Sequence, residues 1–168
     1  MFREAADSPV SPARRAEFLP LAYFPPDPDY VAPATLRRAD DRVVAEMPTS
    51  TGKRRRMARA GTLEFWLKEQ PLTLAAFVEA DSPTERLFVP FSDLTSGTET
   101  YPAGRYLDLD RTATGIYQID FNLAYNPYCY FSPLWVCPIP PRENRLPVRV
   151  EAGERAKSQK LEARTSSF

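Results

Sequence analysis

The sequence predicts an all-β domain: a compact antiparallel barrel or sandwich of about eight short strands, preceded by a short N-terminal helix and a proline-rich extended arm. Three observations carry that reading. From residue 42 onward, apolar residues recur with period two, the repeat of a half-buried strand. Clusters of Gly, Pro, Asp, Ser and Thr interrupt this pattern at short, even intervals. Proline accounts for 18 of the 168 residues, eight of them before residue 50 and six between Pro127 and Pro147. Proline fixes φ and removes a backbone donor, so both blocks read as extended wrapping segments. Tyr23, Phe24, Tyr30, Tyr128, Tyr130 and Trp135 supply apolar surface to hold them down.

The elements follow in order. Ser11 stands at an N-cap position with Pro12 behind it, so Ala13–Phe18 reads as a short helix that Pro20 stops. Leu19–Pro33, with its Pro-Pro and Asp-Pro steps, reads as the extended arm. Five strands come next, at Arg42–Met47, Arg54–Ala60, Thr62–Lys68, Leu72–Glu79 and Arg86–Pro90. Leu63, Phe65 and Leu67 alternate with Glu64, Trp66 and Lys68, and Leu72, Leu74, Ala76 and Val78 repeat the pattern, so each strand gives one face to a core. Turns fall at Pro48–Lys53, around Glu69–Pro71 and at Ala80–Glu85. After a loop, Ser92–Gly104, strands resume at Arg105–Leu109 and Gly115–Phe121, with a last one at Val148–Glu151. Residues 1–154 form one domain on this reading, and 155–168 a charged, flexible tail.

Composition narrows the function classes. Lys and Arg number 22 and Asp and Glu number 22, so no global field favours nucleic acid or an anionic membrane. The expectation is a cytoplasmic protein, monomer or homodimer, since no signal-peptide pattern and no apolar run of membrane-spanning length is seen. There is no histidine, which removes every Ser-His or Cys-His nucleophile pair. Catalysis would have to run on carboxylates, Lys, Tyr, Cys or a cofactor, and the sequence specifies neither a cofactor nor a metal-ligand set. Two cysteines, Cys129 and Cys137, cannot close a structural zinc site without carboxylate help or a second chain. They read first as buried thiols, and second as a redox or disulfide pair.

The candidate site lies in the segment from Gly104 to Glu154. If Gly115–Phe121 is a strand, Gln118, Asp120 and Asn122 share one face. Arg105, at the start of the preceding strand, would pair with Asp120 across the ladder, either as a structural clamp or as an anion-recognising group. Cys129, after the Asn126-Pro127 turn and Tyr128, is a candidate nucleophile only if Arg105 stabilises its thiolate. Glu143, with Glu151 or Glu154, could provide paired carboxylates for acid–base chemistry. The basic run Lys53-Arg54-Arg55-Arg56 reads as a solvated hairpin rather than a nucleic-acid patch.

The succession Thr49-Ser50-Thr51-Gly52, Phe91-Ser92-Asp93-Leu94-Thr95-Ser96-Gly97, Thr100-Tyr101-Pro102-Ala103-Gly104-Arg105-Tyr106, Asp120-Phe121-Asn122-Leu123-Ala124-Tyr125-Asn126-Pro127-Tyr128-Cys129, Cys137-Pro138-Ile139-Pro140-Pro141, Glu143-Asn144 and Ala152-Gly153-Glu154 resembles the bacterial and archaeal family catalogued as domain of unknown function 1684. The resemblance runs in order from about Ser8 to Glu154. It implies one coherent domain and adds no mechanism. Pro102 stands where members of that family often carry glycine, which stiffens the loop.

The family blocks fall on the polar residues already singled out, so the loop Ser92–Gly104, Arg105, the Asp120 face and the Glu143-Asn144 corner are expected to converge. The leading expectation is a polar, aromatic-rimmed pocket for a small, anionic molecule. Arg105 would be its charge partner and Asp120 the orienter of Arg105, with Tyr101, Tyr106, Asn122, Tyr125, Asn126, Glu143 and Asn144 around them. One alternative is a hydrolase or lyase using Asp120 and Glu143, or Cys129 as nucleophile. Another is a structural or protein-interaction module docking through its proline-rich segments.

Overall fold

The computed structural model describes residues 8–40, 43–81 and 86–157. Among these, seven strands form one antiparallel sheet: β1 (Val31–Arg38), β2 (Val44–Pro48), β3 (Arg54–Leu67), β4 (Gln70–Glu79), β5 (Leu87–Phe91), β6 (Arg105–Leu109) and β7 (Ile116–Asp120). Their spatial order is β6-β5-β4-β3-β1-β7, with β2 also paired to β3. The long β3 explains this arrangement. Its first half pairs with β2, from Pro48↔Arg54 to Val44↔Ala58, and its second half with β1, from Arg38↔Gly61 to Ala34↔Phe65. β1 and β2 therefore lie end to end along one edge of β3, and β4 takes the other edge.

The sheet curls into a half-barrel, the barrel-like one of the two architectures the sequence allowed. Across its mouth, Tyr106 on the edge strand β6 exchanges both backbone hydrogen bonds with Tyr125, beyond the end of β7, at 2.9 and 3.0 Å. That bridge draws the two ends of the sheet together.

Alternation is obeyed as expected on the concave side. Leu63, Phe65, Leu67, Leu72, Leu74 and Ala76 enter the main core, where they meet Val89, Phe91, Leu107, Ile119 and Phe121. On β4, Ala75 and Phe77 are buried as well. The opposite face of this part of the sheet is also covered, with Met47, Met57, Ala75 and Phe77 forming a small cluster there against Phe88. A third cluster joins the N-terminal turn to the loop after β7 through Phe18, Tyr101, Tyr106, Tyr130 and Phe131.

Four expectations are corrected. The predicted strands at Arg54–Ala60 and Thr62–Lys68 are one strand, because the chain runs on through Gly61, where the pairing with β4 shifts register as a bulge. The arm ends earlier than predicted, since Val31–Arg38 is a central strand. Pro33 is tolerated there because its nitrogen side faces β3, whose ladder to β1 begins only at Ala34. Val148–Glu151 is an extended strap rather than a strand. Residues 155–157 are not loose: the N–H groups of Arg155, Ala156 and Lys157 donate to Ala22 O, Glu99 O and the Tyr130 hydroxyl. The rest of the predicted tail, and the predicted turn at 82–85, lie outside the described residues.

The helical signal holds with a modification. Pro12–Arg14 forms a 3-10 turn that continues into α1 (Arg15–Phe18), and the Arg14 N–H bonds Ser11 O while the Ser11 hydroxyl makes no cap bond. The second short helix, α2 (Tyr128–Phe131), starts after Pro127.

Candidate functional site

Arg105 and Tyr106 are neighbours on β6, so the pleat sends them to opposite faces. Arg105 goes inward with Leu107 and Leu109 and is fully buried. It does not pair with Asp120, whose carboxylate accepts from Asn122 just beyond the end of β7. Its partner is the buried Asp93, with Nη2 at 3.0 Å from Oδ2. The guanidinium also donates to the carbonyls of Val150 (2.8 Å), Ala152 and Glu154 (3.2 Å). Asp93 in turn accepts from the N–H of Thr95 (2.7 Å) and Val150 (3.2 Å). Burial pushes the Arg105 pKa down, and Asp93 opposes the shift. Arg105 is thus the clamp of the C-terminal strap and not the charge partner of a pocket.

The other expected site residues are spread over the molecule. Asp120 accepts from the Asn122 N–H and side-chain amide at 2.9 Å, and Asn122 in turn exchanges two hydrogen bonds with the Asp27 backbone, fastening the arm. Glu143 makes a bidentate ion pair with Arg59 on the surface, at 2.7 and 2.9 Å. Asn144 is fully buried, accepting from Ala75 N–H and donating to the carbonyls of Ala75 and Pro90. The Asn126 backbone N–H donates to Glu154 Oε2 at 2.9 Å. The Tyr101 ring is buried edge-on against Tyr130, with its hydroxyl 3.8 Å from the Cys129 sulfur. Arg105, Asp120 and Glu143 do not converge.

Tyr106 and Tyr125 do meet, in a different place. The convex face of β3–β6 and the loop carrying α2 enclose a cleft of about 730 Å³. Met57, Phe88, Tyr106 and Asp108 form its floor, placed side by side by strand pairing. Tyr125, Tyr128, Trp135, Cys137 and Pro138 form the facing wall. Tyr106 packs edge-on against both Phe88 (centroids 4.7 Å) and Tyr125 (5.8 Å), and Tyr128 against Trp135 (5.1 Å). The Tyr106 hydroxyl donates to Pro138 O and the Tyr125 hydroxyl to Asp108 Oδ2 at 2.8 Å. Burial raises the pKa of both phenols, and the neighbouring Asp108 carboxylate raises that of Tyr125 further.

Charge is arranged around this aromatic lining. Arg55 and Arg86 stand at the cleft, paired with Glu79 and with Asp110 (3.1 Å). Arg54 and Arg56 of the same basic run face Glu46 and Asp81, as in a solvated hairpin. Glu154 lines the cleft too, and burial raises its pKa, against the lowering effect of the Asn126 N–H and the Tyr23 hydroxyl. The adjacent Tyr23 phenol is pushed up to about 12, by burial first and by Glu154 next. Cys137 is buried on the cleft wall, and its pKa is raised by a hydrogen bond with Cys129 and by burial, which opposes the thiolate a nucleophile needs. Among the described residues, no cluster of three or more His, Cys, Asp or Glu side chains is arranged to hold a metal ion. No helix there is long and apolar enough to cross a membrane.

Sequence reasoning missed Asp93 as the partner of Arg105, missed Asp108, Arg55, Arg86, Phe88 and Glu154 as the lining of one cleft, and placed Trp135 only as packing. One local signal was available: Tyr106 and Asp108 are two apart on a strand and so share a face that excludes Arg105. The partners on β3, β4 and β5 carry no such mark.

Comparison with known proteins agrees with this fold. A search of curated proteins finds no match. The solution NMR structure of an uncharacterized protein from gene locus rrnAC0354 of Haloarcula marismortui is 39% identical and superposes with a TM-score of 0.75, over 92% of this chain and 85% of that one. The family described as Protein of unknown function (DUF1684) matches residues 16–155, and the chain belongs to that family.

Proposed function

We propose that the cleft binds a small molecule with a flat, conjugated body and an anionic group. The observation that carries this is the aromatic-lined volume of about 730 Å³, inside the range of small-molecule sites. Phe88, Tyr106, Tyr125, Tyr128 and Trp135 offer ring faces and edges to a planar guest. Arg55 and Arg86 take the role first expected of Arg105. Their ion pairs with Glu79 and Asp110 are solvent-exposed, and such pairs are worth about 0–1 kcal/mol, so either guanidinium can turn to a ligand anion at small cost.

The test is a fluorescence titration with 1-anilinonaphthalene-8-sulfonate and with its uncharged relative N-phenyl-1-naphthylamine. Both dyes should saturate one site. Trp135→Ala should weaken both by about tenfold, near 1.4 kcal/mol, and Trp135 is exposed enough for the fold to survive its loss. Arg86→Ala should weaken only the sulfonate. Non-saturable binding, or binding indifferent to Trp135→Ala, would sink the proposal. Equal losses for both dyes on Arg86→Ala would remove its anionic part.

A further inference from the structure

We propose that Cys129 and Cys137 are a site of reversible oxidation, forming an intramolecular disulfide that ties α2 to the Cys137 segment of the same cleft wall. These are the only cysteines of the chain, and the fold brings them into contact across the intervening loop. The Cys129 N–H donates to the Cys137 sulfur at 3.2 Å, and the two side chains hydrogen-bond to one another.

The backbone on both sides is held in place. Cys129 lies in α2, whose neighbours Tyr130 and Phe131 are buried against Phe18. Cys137 is fixed on both its backbone groups by Ser50: the Ser50 N–H donates to Cys137 O at 2.9 Å, and the Cys137 N–H donates to Ser50 Oγ at 3.2 Å. The loop between them is pinned by the edge-to-face contact of Tyr128 with Trp135 and by Trp135 N–H donating to Ser132 O. Joining the sulfurs therefore asks for side-chain rotation within a frame that already exists. Access is through the cleft, because Cys137 lines its wall.

With hydrogen peroxide as oxidant the step balances. The Cys137 sulfur takes one peroxide oxygen to become a sulfenic acid, releasing one water. The Cys129 sulfur then displaces the sulfenic hydroxyl, which leaves as a second water carrying the Cys129 proton. Two S–H bonds and the O–O bond are lost, one S–S bond is formed, and the two electrons reside on oxygen. A dithiol reductant reverses the step by exchange. Attack requires thiolate, which burial and the mutual hydrogen bond disfavour, so oxidation is slow at neutral pH and quickens as pH rises.

The experiment exposes the folded, fully reduced protein to peroxide at neutral and at alkaline pH, blocks remaining thiols with iodoacetamide in denaturant, and weighs the intact chain. The expected product is a monomer lighter by two hydrogens, with neither cysteine alkylated, and dithiothreitol should restore both thiols. Cys129→Ser should divert the remaining Cys137 to a sulfenic acid that a dimedone probe captures. Loss of one thiol without the other, disulfide-linked dimers, or two intact thiols after prolonged exposure at alkaline pH would overturn the assignment. These readouts are independent of dye binding, so the disulfide and the ligand proposal stand or fall separately.

Discussion

Arg105 shows how one side chain can look functional in a sequence and be structural in the molecule. Among the described residues it is one of the largest fully buried side chains, held by Asp93 and by carbonyls of the C-terminal strap, and its Nε has no partner there. Removing one member of such a pair leaves a buried charge, at a cost of about 3–5 kcal/mol, whereas replacing both members by apolar groups costs far less. Arg105→Met should therefore cost about 3–5 kcal/mol in urea unfolding, and the double variant Arg105→Met/Asp93→Leu should recover part of that loss. Additive losses in the double-mutant cycle would show that the pair is not coupled. An alanine at Arg105 is accordingly expected to unfold the protein rather than empty a pocket.

Elements here are completed by single residues from elsewhere in the chain. β4 and β5 pair at Phe77↔Phe88, and alongside Ala75 the ladder is taken over by the Asn144 side chain. Its amide accepts from Ala75 N–H at 2.7 Å and donates to Ala75 O at 2.9 Å and Pro90 O at 2.7 Å. It stands in for a missing strand partner, at a point where Pro90 has no N–H to give. Asn144→Ala would strand three buried backbone groups, each worth about 1–3 kcal/mol when left unsatisfied. A loss of roughly 3 kcal/mol or more is expected, with faster hydrogen exchange at the Ala75 amide. Unchanged exchange there would mean that the amide is protected by something else. Gly104 serves the next element in a different way. It enters β6 with φ +87°, and a Cβ there would come within 2.4 Å of Phe91 O, so the strand can start there only from glycine.

At the scale of the whole molecule, the absence of histidine leaves the neutral pH range unusually simple. Glu154 is the described carboxyl whose pKa is raised, chiefly by burial, above the ordinary value of 4.5. In the folded state it holds its proton to higher pH than in the unfolded chain. Its contribution to stability is thus fully present below about pH 4.5 and is lost as pH rises through the folded value. Glu154→Gln keeps an acceptor for the Asn126 N–H and removes the charge. Its stability relative to wild type should increase from about pH 4 toward pH 8, read as the difference between urea-unfolding free energies. A pH-independent difference would show that Glu154 ionises as readily in the folded state as in the unfolded one.

The sequence alone determined the class of fold, most strand positions, the N-terminal helical turn and the membership of the family. All of these rest on local signals: period-two alternation, turn residues, and motifs read along the chain. Alternation placed Leu63, Phe65 and Leu67 inside correctly, and it also held the information that Arg105 and Tyr106 must part company. Only the tertiary structure decided the half-barrel, the Arg105–Asp93 pair and the cleft. Which strand lies beside which depends on the register of β3 against β1, β2 and β4, and nothing in a strand's own residues names its neighbour. Asp108 on the floor and Trp135 on the facing wall line one cavity because the loop after β7 folds back across the convex face of the sheet, a long-range contact set by packing rather than by periodicity.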